Sequence, residues 1–151
     1  MKKFLLITLF FIATVNFLYA QSVVGAWKTL SNVIENSDNK KTDMFSMQLK
    51  MWPCMAELQT IFEADGKQIM KSPGKCGPMD YNKLSASSWK MNGNEISITN
   101  ASTPSPLGIT ATYKVEFIGN KVTFTHEYTD SERKKLHTLK AKKVIITYVK
   151  I

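Results

Sequence analysis

"TATYKVEFIGNKVTFTHEYT", residues 110–129, alternates apolar and polar side chains on both sides of a single short turn. Folding the stretch about Gly119-Asn120 pairs Phe117 with Val122, Val115 with Phe124, Tyr113 with His126 and Ala111 with Tyr128. All of these fall on one face. The other face receives Thr112, Lys114, Glu116, Thr123, Thr125 and Glu127, so a slip of one residue would bury the charges and expose the aromatics. The period of two therefore predicts an antiparallel hairpin with one face on an interior, and it fixes the register.

Two more stretches repeat the device. In "SSWKMNGNEISI", residues 87–98, Asn92-Gly93 suits a type I′ turn, which sets Trp89 against Ile96 and Lys90 against Glu95. In "CMAELQTIFEADGKQIMKSPGKC", residues 54–76, a three-residue loop at Ala64-Asp65-Gly66, with Gly66 left-handed, sets Glu63 against Lys67 and Ile61 against Ile69. The same register carried outward brings Cys54 opposite Cys76, although Pro73-Gly74 bends the second strand. These are the only cysteines, and they are predicted to form a disulfide that clamps the base of the hairpin.

Further candidate strands are Val23 to Ser31, Met44 to Met51 and a late one from about Thr138 to Val149. Within the late region "DSERKKLHTLKAKK", residues 130–143, also suits a helix capped at Asp130 or Ser131. "ENSDNKKTD" and "NASTPSPLG" read as loops. Eight to ten strands joined mainly by hairpins give an all-β, antiparallel up-and-down meander, and closure into a barrel removes its edges.

The first twenty residues stand apart. Met1-Lys2-Lys3 opens on positive charge, Phe4 to Phe11 is apolar but for Thr8, and Leu18-Tyr19-Ala20 ends on a small residue before Gln21. This is the pattern of an export signal, with 21–151 as one mature domain. Thr14 and Asn16 interrupt a run already short of the roughly 20 apolar residues of a membrane span. No cysteine stands at the cleavage point for lipid attachment, so the expectation is a secreted or periplasmic protein without a membrane span.

Two of the 20 basic residues leave with the leader, so 18 face 12 acidic ones, a net charge of +6. The clusters Arg133-Lys134-Lys135 and Lys140 to Lys143 accompany no nucleic-acid-binding module, so the charge is read as solubility. Catalysis has little to stand on: His126 and His137 are the only histidines, and no nucleophile triad, phosphate loop or paired metal-ligand spacing is present in the sequence. Neither an enzyme nor a cofactor is expected. Met44, Met47, Met51 and Met55 are the kind of soft cluster that binds Cu(I), but Phe45, Met47, Leu49 and Met51 also alternate as one strand face, and that reading is preferred.

"VVGAWK", residues 23–28, carries a Gly-x-Trp as Gly25 and Trp27, and it is followed by a cysteine, "LQTIFEADGK", a second cysteine and "SSWKMNGNEISI". In order and spacing the chain resembles bacterial lipocalin-like domains. The resemblance implies a barrel closed at one end by Gly-x-Trp, the Trp lying beneath a basic residue of a late strand such as Lys142 or Lys143, and open at the other end to a small apolar ligand. The second lipocalin motif, Thr-Asp-Tyr, is not matched by Tyr128-Thr129-Asp130.

The expected function is binding of a small apolar or amphipathic molecule, in a cavity lined by Leu58, Phe62, Tyr113, Phe124 and Tyr128, with Met47, Met51 and Trp89 contributing. His126 is either a core histidine hydrogen-bonded to Tyr113 or the backbone, or joins Tyr113 and Tyr128 in orienting a ligand's head group. The alternative is a protein-interaction module, an inhibitor or envelope assembly factor, with a filled barrel and binding loops.

Overall fold

The computed structural model describes residues 22–100, 110–135 and 140–151. The predicted export signal, most of the "NASTPSPLG" loop, His137 and the predicted start of the late strand lie outside the described residues. Among the described residues nine strands form the sheet: β1 (Gly25–Asn36), β2 (Lys41–Asp43), β3 (Gln59–Phe62), β4 (Lys67–Lys71), β5 (Ser87–Asn92), β6 (Glu95–Thr99), β7 (Thr110–Ile118), β8 (Lys121–Glu127) and β9 (Ala141–Lys150). From β3 onward each strand pairs with the next, and β9 returns to pair along β1. Eight strands thus close an antiparallel up-and-down barrel, while β2 extends the edge of β1 beyond β3.

The 110–129 hairpin has the register its alternation dictates, with Phe117 opposite Val122 and Val115 opposite Phe124. The 87–98 hairpin keeps its faces but turns one residue later, which shifts its pairing by two. Trp89 lies opposite Ile98 and Met91 opposite Ile96, so Lys90 meets Ser97 rather than Glu95. The turn residues are Gly93-Asn94, with φ +60° at Gly93, as φ is +61° at Gly119 in Gly119-Asn120. A glycine first in a two-residue turn suits type II′, and this Gly-Asn pair displaces the Asn-Gly pair predicted from the sequence. In the third hairpin Ile61 faces Ile69, and Gly66 is left-handed at φ +86°. Its ladder stops at Gln59 and Lys71, so the cysteines lie outside it. They nevertheless form the disulfide, with Cα atoms 5.8 Å apart, joining a 3₁₀ turn at Pro53–Glu57 to the loop after β4.

The largest correction concerns residues 44–51. They form helix α1 (Met44–Met51), not a strand. Asp43 caps it, its carboxylate accepting from the amides of Phe45 and Ser46 and the Ser46 hydroxyl. No residue of the segment is β-branched, and Phe45, Leu49 and Trp52 fall at helical spacing toward one cluster with Met55, Leu58 and Cys76. A second helix, α2 (Asp130–Lys135), is capped one residue earlier than predicted. The Thr129 hydroxyl accepts from the Glu132 amide at 3.2 Å, and the Glu132 carboxylate accepts from the Thr129 amide at 2.7 Å, a reciprocal capping box.

The meander sorts its connections by length. The tight turns 64–66, 93–94 and 119–120, together with the start of β1 and the end of β9, gather at one end; α1, the 3₁₀ turn, the 72–86 loop and α2 gather at the other. The first end is closed. Trp27 is buried, its indole N–H donates to the Val23 carbonyl at 2.7 Å, and a lysine ammonium lies 5.5 Å from the ring centroid. That lysine is Lys150, not Lys142 or Lys143, which instead flank the buried Glu35 carboxylate at 3.7 Å and 3.4 Å on the outside of the barrel. Gly25, at φ +133°, leaves room for it: a Cβ there would stand 3.2 Å from the Lys150 Cε.

Candidate functional site: a cavity beneath the first helix

The barrel interior is not uniform. Toward the closed end Trp89, Phe62, Phe124, Tyr113 and Tyr148 pack edge to face or tilted, with centroids 5.4–6.1 Å apart, over Val23, Trp27, Ile96 and Val122. Phe62 and Phe124 are each 1% exposed, so with Trp89 and Tyr113 they fill this half as core rather than line a pocket, while Tyr128, also predicted to line it, lies outside this cluster against His126. Trp89 spans the end of the β3–β4 hairpin, its N–H shared between the carbonyls of Glu63 and Lys67.

At the other end a cavity of about 250 Å³ remains between β1, β3, β4 and β9. Phe45, Met55, Leu58, Met70 and Ile146 supply its apolar wall, and Asn32, Thr29, Thr60, Gln48, Tyr81 and Tyr148 its polar groups. Of the residues predicted for a pocket, only Leu58 reaches this wall. Met47 and Met51 do not: α1 turns them outward, 48% and 58% exposed, because helical spacing puts Phe45 and Gln48 on the barrel side instead.

Asn32 owes its position to a bulge. β1 pairs Thr29 with Tyr148 but Ser31 with Thr147, so Leu30 is extra and stands exposed. Beyond it the parity of β1 reverses, and Asn32, opposite Ile146, faces the interior where Ser31 otherwise would. The Asn32 amide donates to the Asp43 carboxylate at 3.3 Å, which ties the start of α1 to this strand. The hydrogen bond from the Ser46 hydroxyl, with further amides outweighing burial, holds the Asp43 carboxyl below the ordinary range. The side-chain oxygen of Asn32 is buried, and no protein group donates to it among the described residues.

The cavity's cover is built from the disulfide region. β5 pairs with β4 only at Lys67 and Gln68, which leaves the upper part of β4 without a strand on that side. The 72–86 loop folds over it, and the Asn82 carboxamide accepts from the Ser72 amide at 3.2 Å and donates to the Ser72 carbonyl at 2.9 Å. Tyr81, next in the same turn, donates to the Met55 sulfur at 3.4 Å across the cavity mouth. Burial raises the Tyr81 and Tyr148 hydroxyls above their ordinary values, so both stay protonated at neutral pH.

His126 lies apart from this cavity. Its Nδ1 donates to the Thr112 carbonyl at 2.7 Å, its ring meets Tyr113 and Tyr128 edge to face, and Nε2 stands 3.3 Å from the Glu132 carboxylate. It thereby joins β7, β8 and α2. Burial, with Tyr128 beside it, pushes the Tyr113 hydroxyl up to about 12. Burial acts to raise the Glu132 carboxyl, but the Thr129 amide and hydroxyl and then His126 outweigh it and leave it lowered. A depressed carboxyl stabilises the fold above the ordinary glutamate range of about 4.3 and ceases to as pH falls through the folded value. Between pH 6 and pH 3 the wild type should therefore lose on the order of 1 kcal/mol more stability than Glu132→Gln. Parallel acid titrations of the two melting curves check this, and equal losses would contradict it.

Comparison with known proteins finds no significant match to a family model, to a curated protein or to a solved structure. The closed eight-stranded antiparallel barrel is compatible with a lipocalin-like fold. Among the described residues no helix is long and apolar enough to cross a membrane.

Proposed function

We propose that the protein is an exported, lipocalin-like binder that holds a small apolar or amphipathic molecule in the cavity beneath α1 without transforming it. The observation that carries this reading is the division of the interior: one half holds the interlocked aromatic core, while the other keeps a chiefly apolar cavity with a few polar groups. At about 250 Å³ the cavity falls just under the ~300–1,000 Å³ of drug-sized sites, which favours a compact ligand. The N-terminal leader pattern supports export, and the Cys54–Cys76 bridge suits an oxidising compartment. The Gly25-x-Trp27 motif with Lys150 over the indole supports kinship with lipocalins.

A panel of short-chain alcohols, esters and aromatics tests it by thermal shift. At a hundredfold excess over Kd a ligand specific to the folded state adds about 2.7 kcal/mol, a rise in Tm on the order of 10 °C for a domain of this size. Gln48→Trp, which directs an indole from α1 into the cavity, should abolish the rise while preserving the fold. A flat response across the panel would refute the binder and move the reading to a protein-interaction module.

A further inference from the structure

We propose that the cavity selects an uncharged molecule whose head group donates a hydrogen bond to the Asn32 side-chain oxygen; the proposal rests on reading the cavity as a ligand site. The chemical class is an alcohol or primary amide on a short apolar body. Three observations converge on it.

The Leu30 bulge turns an amide side chain into a barrel whose alternation would otherwise present serine, and the oxygen it delivers is buried without a protein donor among the described residues. The oxygen itself exposes less than 1 Å², so the carboxamide turns toward the cavity to take a donor, and the partner it then favours is one that brings an N–H or O–H. Among the described residues, those that line the cavity include no lysine, arginine, histidine, aspartate or glutamate. A carboxylate would therefore enter without a counter-charge and meet the Asn32 oxygen with another acceptor, and an ammonium would leave its hydration for neutral dipoles alone. The Asp43 carboxylate does not line the cavity and is held by the backbone amides of Asn32, Phe45 and Ser46 and by the Ser46 hydroxyl, so it is not placed to pair with an ammonium there. The apolar residues that share the cavity with Asn32, namely Phe45, Met55, Leu58, Met70 and Ile146, accommodate the body of the molecule.

Calorimetric titration of the wild-type protein with 1-hexanol, hexanamide, hexanoate and hexylamine at neutral pH separates the charge classes on one tail. The neutral pair should bind at least about tenfold tighter than either ion. Asn32→Leu should lower the affinity for hexanamide by about tenfold. In the wild type, an intermolecular nuclear Overhauser effect between the hexanamide amide protons and the Asn32 β-protons supplies the same assignment without a substitution. Hexanoate or hexylamine binding as tightly as hexanamide would overturn the inference and leave the cavity a ligand site. An unchanged hexanamide affinity in Asn32→Leu, or no Overhauser contact to Asn32, would overturn the role given to that residue. Binding of none of the four, with a flat thermal-shift panel, would remove the binder reading itself.

Discussion

Loss of the Cys54–Cys76 bridge should lower the stability of the folded protein by about 3 kcal/mol, the chain-entropy value for a loop of this length. The bridge does more than shorten the unfolded chain. Cys54 sits in the turn that carries Met55, and Cys76 lies in the loop that carries Tyr81, so the two sides of the cavity mouth are tied covalently. Gly77, at φ +63°, lets this loop lie against Trp52, where a Cβ would come within 2.9 Å of the indole. Reduction should therefore weaken ligand affinity as well as lower Tm. Cys76 is only 2% exposed, so the double variant Cys54→Ser/Cys76→Ser tests this without depending on the reductant's access. Denaturant unfolding and ligand titration of that variant check both effects. Unchanged stability would show that the clamp is dispensable.

Phe124→Ala should cost about 3–5 kcal/mol, the range for removing a fully buried aromatic ring. Phe124 is 1% exposed and meets Phe62, Tyr113 and Tyr148 at once, so truncation opens a void where three rings converge. Because β7, β8 and β9 all contribute to that contact, the barrel cannot collapse around the gap without shifting its strands. Equilibrium denaturation measures the loss. A cost below about 1 kcal/mol would mean that the ring lies in a space able to collapse, and that the two halves of the barrel are not as different as the packing indicates.

Strand register was legible in the sequence wherever alternation and a glycine turn agreed, as in β7–β8 and β3–β4. It slipped by two residues in β5–β6 because "NGN" offers two overlapping turns, and the alternation, which is indifferent to a shift of two, cannot choose between them. Helix α1 was hidden for a related reason: Phe45 and Leu49 satisfy both an alternating and a helical pattern, and only the aspartate before the run and its lack of β-branched residues distinguish them. The cavity was mostly out of reach. Phe45, Met55, Met70, Tyr81, Ile146 and Tyr148 come from segments far apart in the chain and meet through barrel closure. Asn32 faces inward only because of a bulge that no residue in "TLSNVIEN" announces. The alternation of Val144, Ile146 and Tyr148 was the one signal that could have placed β9 residues inside. Lys150 rather than the clustered Lys142 and Lys143 covers the indole because it stands opposite Trp27 where β1 and β9 meet, a pairing that only barrel closure creates.

Methionine methyl resonances give the most direct test of a ligand site beneath α1, because the chain places reporters on both sides of the helix. Met55 and Met70 line the cavity, whereas Met47 and Met51 face solvent. In protein carrying ¹³C-methyl methionine, titration with benzyl alcohol should shift the Met55 and Met70 signals along a saturable curve and leave Met47 and Met51 in place. Saturable shifts confined to Met47 and Met51, or no saturable shift at any of the four, would contradict the account.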